Sequence, residues 1–274
     1  PFGNGCHSPM GSWIQRRWHR GAECKTDGAG HEESEDAGQI IAAHCEDEAL
    51  SAEGDFRRSE WTQVMRDLAI CKRTGCKYHV CHISTKESLN LIREAKGSGI
   101  DVTCETAPHY LLFTEADRDD LGRFKMNPPL MAASDREALV RGLADGTIDM
   151  IATDHAPHSD EEKSKGFSGS LNGVVGLETA FAVLYTKLVL TGIVTLERLV
   201  DAMAVAPRVR FGLDGGSLEI GQPADLCIWN LTKEYAINPT EFYSKGKSCP
   251  FEGMKVVGKN MYTIVGGTIV WERQ

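Results

Sequence analysis

Short apolar runs alternate with helical stretches through the middle of this chain, and this alternation restricts the possible folds more than any other feature. Runs typical of buried strands begin at Ile40, Tyr78, Asp101 and Ile148. The stretch 61–75 has apolar residues at three- and four-residue spacing, which is the period of an amphipathic helix. Strands that alternate with helices indicate parallel βα units, so the sequence predicts an α/β fold rather than a sandwich.

Two further helix starts are predicted from capping residues. Ser84 is the expected N-cap of a helix that ends near Gly97, and Ser134 is the expected N-cap of a helix over 135–143. Serine suits this position because its hydroxyl accepts a hydrogen bond from a free amide of the first turn. Two more helices are predicted over residues 176–190 and 196–206.

The pattern of apolar and polar residues changes at two places in the chain. Residues 1–39 have no countable helical or strand period, whereas the βα pattern runs through residues 40–214. After Gly215, two strand-like segments are separated by glycine and proline turns. This predicts a small β-sandwich-type domain over 215–274.

The composition excludes several functional classes. The chain has 274 residues with 30 Lys+Arg against 39 Asp+Glu, a net charge of −9, so no basic surface is expected for nucleic acid or an anionic membrane. Its longest apolar region, residues 181–194, contains Lys187 and is too short to span a bilayer. The first residues lack the apolar stretch of a signal peptide. Nine cysteines without a C-x-x-C pair indicate reduced thiols and a cytoplasmic location.

Three predicted strands end in residues that commonly bind metals. They are His44, His82 and Asp154, the last within a Thr-Asp-His-Ala-Pro-His segment. In a barrel of parallel strands, the carboxyl ends of different strands meet at one mouth, where imidazole and carboxylate would suit zinc and an activated water. Singly, each histidine could be a hydrogen-bonded structural residue and the aspartate a helix cap. Three such residues at equivalent strand ends favour a site.

Several motifs occur together in a recognisable order. They are HCEDE, YHVCHISTKES, ETAPHYLL, KMNPPL, IDMIATDHAPH, GLETAF and GQPADL. In combination they resemble the long-type bacterial dihydroorotases of the amidohydrolase superfamily, and the resemblance covers residues 40–274. It implies part of a (β/α)8 TIM-type barrel, about its last four βα units, followed by a small C-terminal β domain.

The resemblance also implies an activity and a cofactor. Members of the family interconvert N-carbamoyl-L-aspartate and L-dihydroorotate in pyrimidine synthesis, with two zinc ions that share a bridging hydroxide. His44 and His82 match the two histidine ligands of one zinc, and Asp154 matches the residue that binds the other zinc and transfers the proton. The partners implied are the small-molecule substrate and either a second copy of the chain or aspartate transcarbamoylase.

Four residues match substrate-binding positions of the family. Asn127 and His158 match side chains that bind the substrate, and Asn172 and Gly173 fall where a loop backbone contacts it. Asn127, which precedes two prolines, could also be a turn residue.

Three other histidines are not expected to be ligands. His79 is interpreted as a packing residue because of its offset from His82 within one strand, whereas His109 and His155 are interpreted as groups that support the site.

The sequence departs from the family near its start. The family carries a His-x-His pair with an arginine on its first strand and a carboxylate that bridges both metals on a later one, and neither pattern occurs here. Met131 also stands where the family usually has arginine. If the codons for residues 13–39 are read one nucleotide later, the genetic code permits a Ser-Asp-Asp-Gly segment like that of the family. Residues 1–39 are therefore predicted to be frameshifted and non-native, which sequencing the coding DNA would test.

A partial barrel has consequences for stability and activity. Open sheet edges and an uncovered interior predict that the chain as written is poorly stable, holds at most a partial zinc site and lacks dihydroorotase activity. Two alternative functions stay open: a hydantoinase- or allantoinase-type cyclic amidase, and a non-catalytic scaffold partner of aspartate transcarbamoylase. The TDHAPH and MNPPL motifs favour dihydroorotase, and the retained metal-type residues argue against a scaffold.

Overall fold

A four-stranded parallel sheet organises the first part of the structure. The computed structural model describes residues 39–273, so the segment interpreted above as frameshifted lies, apart from Gln39, outside the described residues. The strands lie in the order β1-β2-β3-β4, and all neighbouring pairs are parallel. They are β1 Ile40–Ala43, β2 Lys77–Val80, β3 Val102–Thr106 and β4 Met150–Ile151. The four predicted strands are confirmed.

Helices connect these strands. They are α1 Glu48–Ala52, α2 Phe56–Thr74, α3 Lys86–Gly97, α4 Pro108–Leu112 and α5 Ala133–Ala144, with 3₁₀ turns at Glu115–Asp117 and Gly122–Phe124. The side chain of Asp55 caps α2 by accepting a hydrogen bond from the amide of Arg58. The same helix ends at Gly75, whose φ of 74° is in the left-handed region that glycine adopts without steric cost.

Both predicted serine caps are wrong. Thr85, rather than Ser84, caps α3 by accepting a hydrogen bond from the amide of Ser88, because the helix begins at Lys86 and Thr85 is the extended residue directly before it. Ser134 lies inside the first turn of α5, and the helix begins without a side-chain cap.

The two faces of the parallel sheet differ. Tyr78, Val80, Val102 and Cys104 are fully buried on the face that packs against the helices. The apolar side chains that belong to this core include Val64, Leu68, Leu89, Ile92, Leu139 and Leu143. A parallel sheet with helices on one face and polar residues on the other has the layering of part of a (β/α)8 barrel.

The C-terminal part contains short helices and an antiparallel sheet. The helices are α6 Asp160–Lys163, α7 Gly166–Gly169, α8 Ala180–Leu184, α9 Leu196–Val200 and α10 Ala206–Phe211, with π-helical turns at Tyr185–Val189 and Asp201–Val205 and a 3₁₀ turn at Pro239–Glu241. Two predicted helices are confirmed, although the first starts only at Ala180 and the second extends to Phe211.

Three antiparallel strands follow, in the order β5-β6-β7. They are β5 Leu226–Ala236, β6 Lys255–Val265 and β7 Thr268–Glu272. Phe181 of α8 packs on Trp229 of β5 at a ring-centroid distance of 4.2 Å, which joins this sheet to the helices. The boundary at residue 215 stays a prediction. Within residues 39–273, no helix has the length and apolar character needed to cross a membrane.

Candidate active site

The three predicted metal ligands follow strands of the parallel sheet. His44 follows β1, His82 follows β2 and Asp154 follows β4, so all three lie at the carboxyl edge. His44 Nδ1 lies 3.1 Å from His82 Nε2, and their rings meet edge to face. The carboxylate of Asp154 is close enough to both imidazoles to interact with them electrostatically. The structure therefore brings together residues that are 38 and more positions apart in sequence.

The backbone is strained at two of these residues. His82 has a φ of 34° and Asp154 a φ of 48°, and they are the non-glycine residues with positive φ in the described part of the chain. Such conformations are costly for residues with a Cβ atom and cluster at functional sites. Strain at two predicted ligands supports a functional role for this edge.

Glu46 orients the ring of His44. Its Oε2 atom accepts a hydrogen bond from His44 Nε2 at 2.8 Å, which leaves Nδ1 directed toward His82. Ser51 and Asn127 donate to the same carboxylate. These hydrogen bonds, led by that from His44, lower the pKa of Glu46 to about 2. A carboxylate that fixes the far nitrogen of a histidine is the usual support of a metal ligand.

These residues fit a metal ion. Two nitrogen ligands at 2.0–2.1 Å from one tetrahedral zinc lie about 3.3 Å apart, close to the observed 3.1 Å between His44 and His82. Burial lowers the pKa of His82, which favours the neutral, metal-binding form. Burial also raises the pKa of Asp154, while both imidazoles oppose that rise. A cation between these groups would stabilise the ionised carboxylate.

A buried carboxylate supports the turn after His82. Glu60 is 3% exposed and accepts hydrogen bonds from the amides and hydroxyls of Ser84 and Thr85, and from the Ser88 hydroxyl. Glu60 therefore holds the start of α3 and the strand end that presents His82. Sequence reasoning missed it because the groups that donate hydrogen bonds to it lie at least 24 residues away.

The residues predicted to bind substrate fall into two groups. Asn127 lies beside the histidine pair through its bond to Glu46. His158 Nε2 donates to the carbonyl of Asn172 at 2.8 Å, and the amide of the next residue, Gly173, donates to the carbonyl of Lys125. Their substrate roles stay predictions.

Gly173 and Lys163 shape the loop that carries Asn172. Gly173 has a φ of 135°, and a Cβ there would lie 2.5 Å from the carbonyl oxygen of Ala156, so only glycine fits. The ammonium group of Lys163 donates to three loop carbonyls, those of Lys125, Leu171 and Gly173. Sequence reasoning also missed Lys163, which carries no motif signal.

Two further histidines lie near this edge, where one faces backbone amides and the other is buried. His155 Nδ1 faces the amides of Gly176 and Leu177 at 3.3 and 3.4 Å. His109 is 1% exposed, and burial lowers its pKa to about 3. It is therefore neutral at physiological pH.

Solved structures of hydantoinases share this fold. An L-hydantoinase (dihydropyrimidinase) from Arthrobacter aurescens matches with a TM-score of 0.82 and 32% identity, covering 88% of this chain and 59% of that one. A D-hydantoinase from Thermus sp. matches with a TM-score of 0.80 at 24% identity, covering 89% of this chain and 59% of that one. The parallel sheet and its helices are therefore a partial TIM-type barrel followed by an antiparallel sheet.

Sequence relatives point in the same direction. The dihydroorotase of Bacillus caldolyticus is 48% identical over 249 residues, and that of Bacillus pumilus is 47% identical over 250 residues. Each alignment covers 85% of this chain and 58% of the relative, so the chain spans little more than half the length of these relatives. A model of the amidohydrolase family matches residues 29–270. The chain belongs to the amidohydrolase family.

Proposed function

We propose that this segment belongs to a zinc-dependent dihydroorotase, which interconverts N-carbamoyl-L-aspartate and L-dihydroorotate. The observation that carries the proposal is the meeting of His44, His82 and Asp154 at one sheet edge, with two imidazole nitrogens 3.1 Å apart. The 48% identity to a dihydroorotase, against 32% to a hydantoinase, favours this substrate within the family.

The metal ligands are assigned from the orientation of the rings. His44 Nδ1 and His82 Nε2 would hold one zinc ion, and Asp154 would bind a second. Bound zinc supplies Lewis acidity to the amide carbonyl and to the attacking water. Glu46 accepts a hydrogen bond from Nε2–H of His44, which leaves Nδ1 as the nitrogen that would bind the metal.

Asp154 moves the proton in either direction. In hydrolysis, water adds to the ring carbonyl, the carbon–nitrogen bond breaks, and the proton taken by Asp154 passes to the departing nitrogen. In cyclisation, the carbamoyl nitrogen attacks the side-chain carboxyl group, Asp154 takes a proton from that nitrogen and passes it to the departing hydroxyl group, and this group leaves as water. A carboxylate is suited to both roles, because it can bind a metal and hold a proton in transit.

Asn127 and His158 are assigned to the substrate's carboxylate or ring edge. Both side chains carry hydrogen-bonding nitrogens, and the backbone at Asn172 and Gly173 offers further contacts. The hydrogen bond from His158 to the carbonyl of Asn172 supports a shared role, because it ties the side chain to the loop.

The proposed function also has consequences for the cellular location and the binding partners of the protein. The resemblance to long-type dihydroorotases supports a cytoplasmic location and association with a second copy or with aspartate transcarbamoylase. Sedimentation of the protein alone and with aspartate transcarbamoylase tests both associations.

A chimaeric enzyme tests the activity. The chain is joined to the portion of Bacillus caldolyticus dihydroorotase that it does not span, and turnover of carbamoyl aspartate, hydantoin and allantoin is compared. We expect carbamoyl aspartate to be cyclised fastest. Asp154→Asn should lower kcat by about 10²-fold or more, while Asp160→Asn, an exposed control in α6, should leave it unchanged.

Other outcomes select the alternatives. Faster turnover of hydantoin would favour a hydantoinase, the second candidate supported by the L-hydantoinase structure. A folded chimaera that neither retains zinc nor turns over any substrate would instead indicate a scaffold.

A further inference from the structure

The inner face of the parallel sheet carries a second group of metal-type side chains. His79 lies on β2, Cys81 directly follows that strand, and Glu105 lies on the neighbouring strand β3. The register pairs His79 with Thr103 and Val80 with Cys104. Since side chains alternate between the faces of a strand, His79, Cys81 and Glu105 share one face. We call these three residues the inner-face cluster.

The ligand atoms of this cluster converge. His79 nitrogen, Cys81 sulfur and a Glu105 carboxylate oxygen all lie within 4.8 Å of one another. His79 is buried, while Cys81 and Glu105 are half-buried, so solvent reaches one side of the cluster.

One buried atom of the cluster lacks a hydrogen-bond partner. His79 is 1% exposed, and its Nδ1 is bonded to the hydroxyl of Thr103 at 2.8 Å. Its Nε2 lies 3.3 Å from Glu105 Oε2 but makes no hydrogen bond there or with any other described residue. A buried polar atom without a partner is costly and calls for an explanation.

A divalent cation explains this arrangement. Nitrogen and oxygen ligands of one tetrahedral zinc, at about 2.0–2.2 Å from it, lie about 3.3 Å apart, which is the separation of His79 Nε2 from the Glu105 carboxylate. A thiolate and a carboxylate together balance the charge of a divalent ion, and imidazole with thiolate suits zinc or cobalt.

We propose that His79 Nε2, Cys81 Sγ and the Glu105 carboxylate form a binding site for a zinc-class divalent cation, separate from the site of His44 and His82. The thiol of Cys81 releases its proton to solvent as the metal–sulfur bond forms. The bound ion links β2 to β3 and leaves a fourth coordination position for water.

Cobalt distinguishes the two sites, because only the inner-face cluster contains sulfur. The full 274-residue chain is titrated with Co²⁺, and the near-ultraviolet thiolate-to-cobalt charge-transfer absorption is recorded. We expect this band in the unaltered chain. Cys81→Ser should abolish it, and Glu105→Gln should weaken cobalt binding by about tenfold or more. Circular dichroism checks that each variant keeps its fold.

Two control variants complete the test. Cys227→Ser removes an exposed thiol elsewhere and should leave the band intact, as should His44→Ala. An unaltered chain that binds Co²⁺ without this band would overturn the proposal, as would a band that survives Cys81→Ser. Loss of the band in His44→Ala would show that the sulfur belongs to the first site and would equally overturn it. None of these readouts depends on dihydroorotase activity.

Discussion

The two faces of the parallel sheet are built from alternate residues of the same strands but perform different tasks. On the helix side, Tyr78 and Val80 are completely buried among apolar side chains. On the inner side, His79, Cys81 and Glu105 bring polar ligand atoms together. A shift of one residue would exchange the two sets. The strand register that directs apolar side chains into the core therefore also directs the polar ligand atoms to the inner face.

The largest effect on stability is expected at the carboxylate that joins the sheet to α3. Glu60→Ala removes the acceptor for five donors of Ser84, Thr85 and Ser88. We expect the free energy of unfolding to fall by about 3–5 kcal/mol, measured by urea denaturation. Glu94→Ala, at an exposed position of α3, is the matched control and should change it by less than about 0.5 kcal/mol. Equal effects would contradict the role of Glu60.

Two neighbouring residues test the difference between the faces directly. Val80→Ala creates a cavity on the helix side and should lower the free energy of unfolding by about 2 kcal/mol. Cys81→Ala, on the half-buried inner side, should cost less than about 1 kcal/mol in metal-free protein. The difference is measured by denaturation in the presence of a chelator. A larger loss for Cys81→Ala would reverse the roles assigned to the faces.

The smallest effect concerns a buried histidine at the edge of the sheet. Burial lowers the pKa of His109 to about 3, so in the range from about 3 to 6.5 the unfolded chain binds a proton that the folded chain does not. Stability from this group is complete above pH 6.5 and falls as the pH drops. Between pH 7 and pH 5.5 we expect a loss of about 1 kcal/mol that His109→Phe lacks. An identical pH dependence in this variant would contradict the neutral, buried state of His109.

Sequence patterns predicted the features that depend on local periodicity. The four strands follow from short apolar runs, and His44, His82 and Asp154 were recognised because each follows such a run. Their common edge then follows from parallel pairing alone. His44 and His82 are 38 positions apart in sequence, and their side chains lie in contact at this edge.

Features that depend on contacts between distant residues were not predictable. Ser84 has the chemistry of an N-cap, but the helix begins one residue later than predicted and Thr85 caps it instead. Glu46 lies in an acidic stretch, residues 46–48, and nothing in that stretch indicates that Glu46 orients His44. His79 was interpreted as a packing residue, which matches its burial, but the neighbouring carboxylate on β3 gives its Nε2 a different environment.

Anomalous scattering at the zinc absorption edge tests the central claim, that the carboxyl edge of the parallel sheet is a metal centre. Crystals of the 274-residue chain grown with zinc would be measured above and below the edge. We predict an anomalous peak between His44 and His82, about 2.0–2.1 Å from Nδ1 of the first and Nε2 of the second. Well-ordered histidine rings without a peak between them would contradict the account.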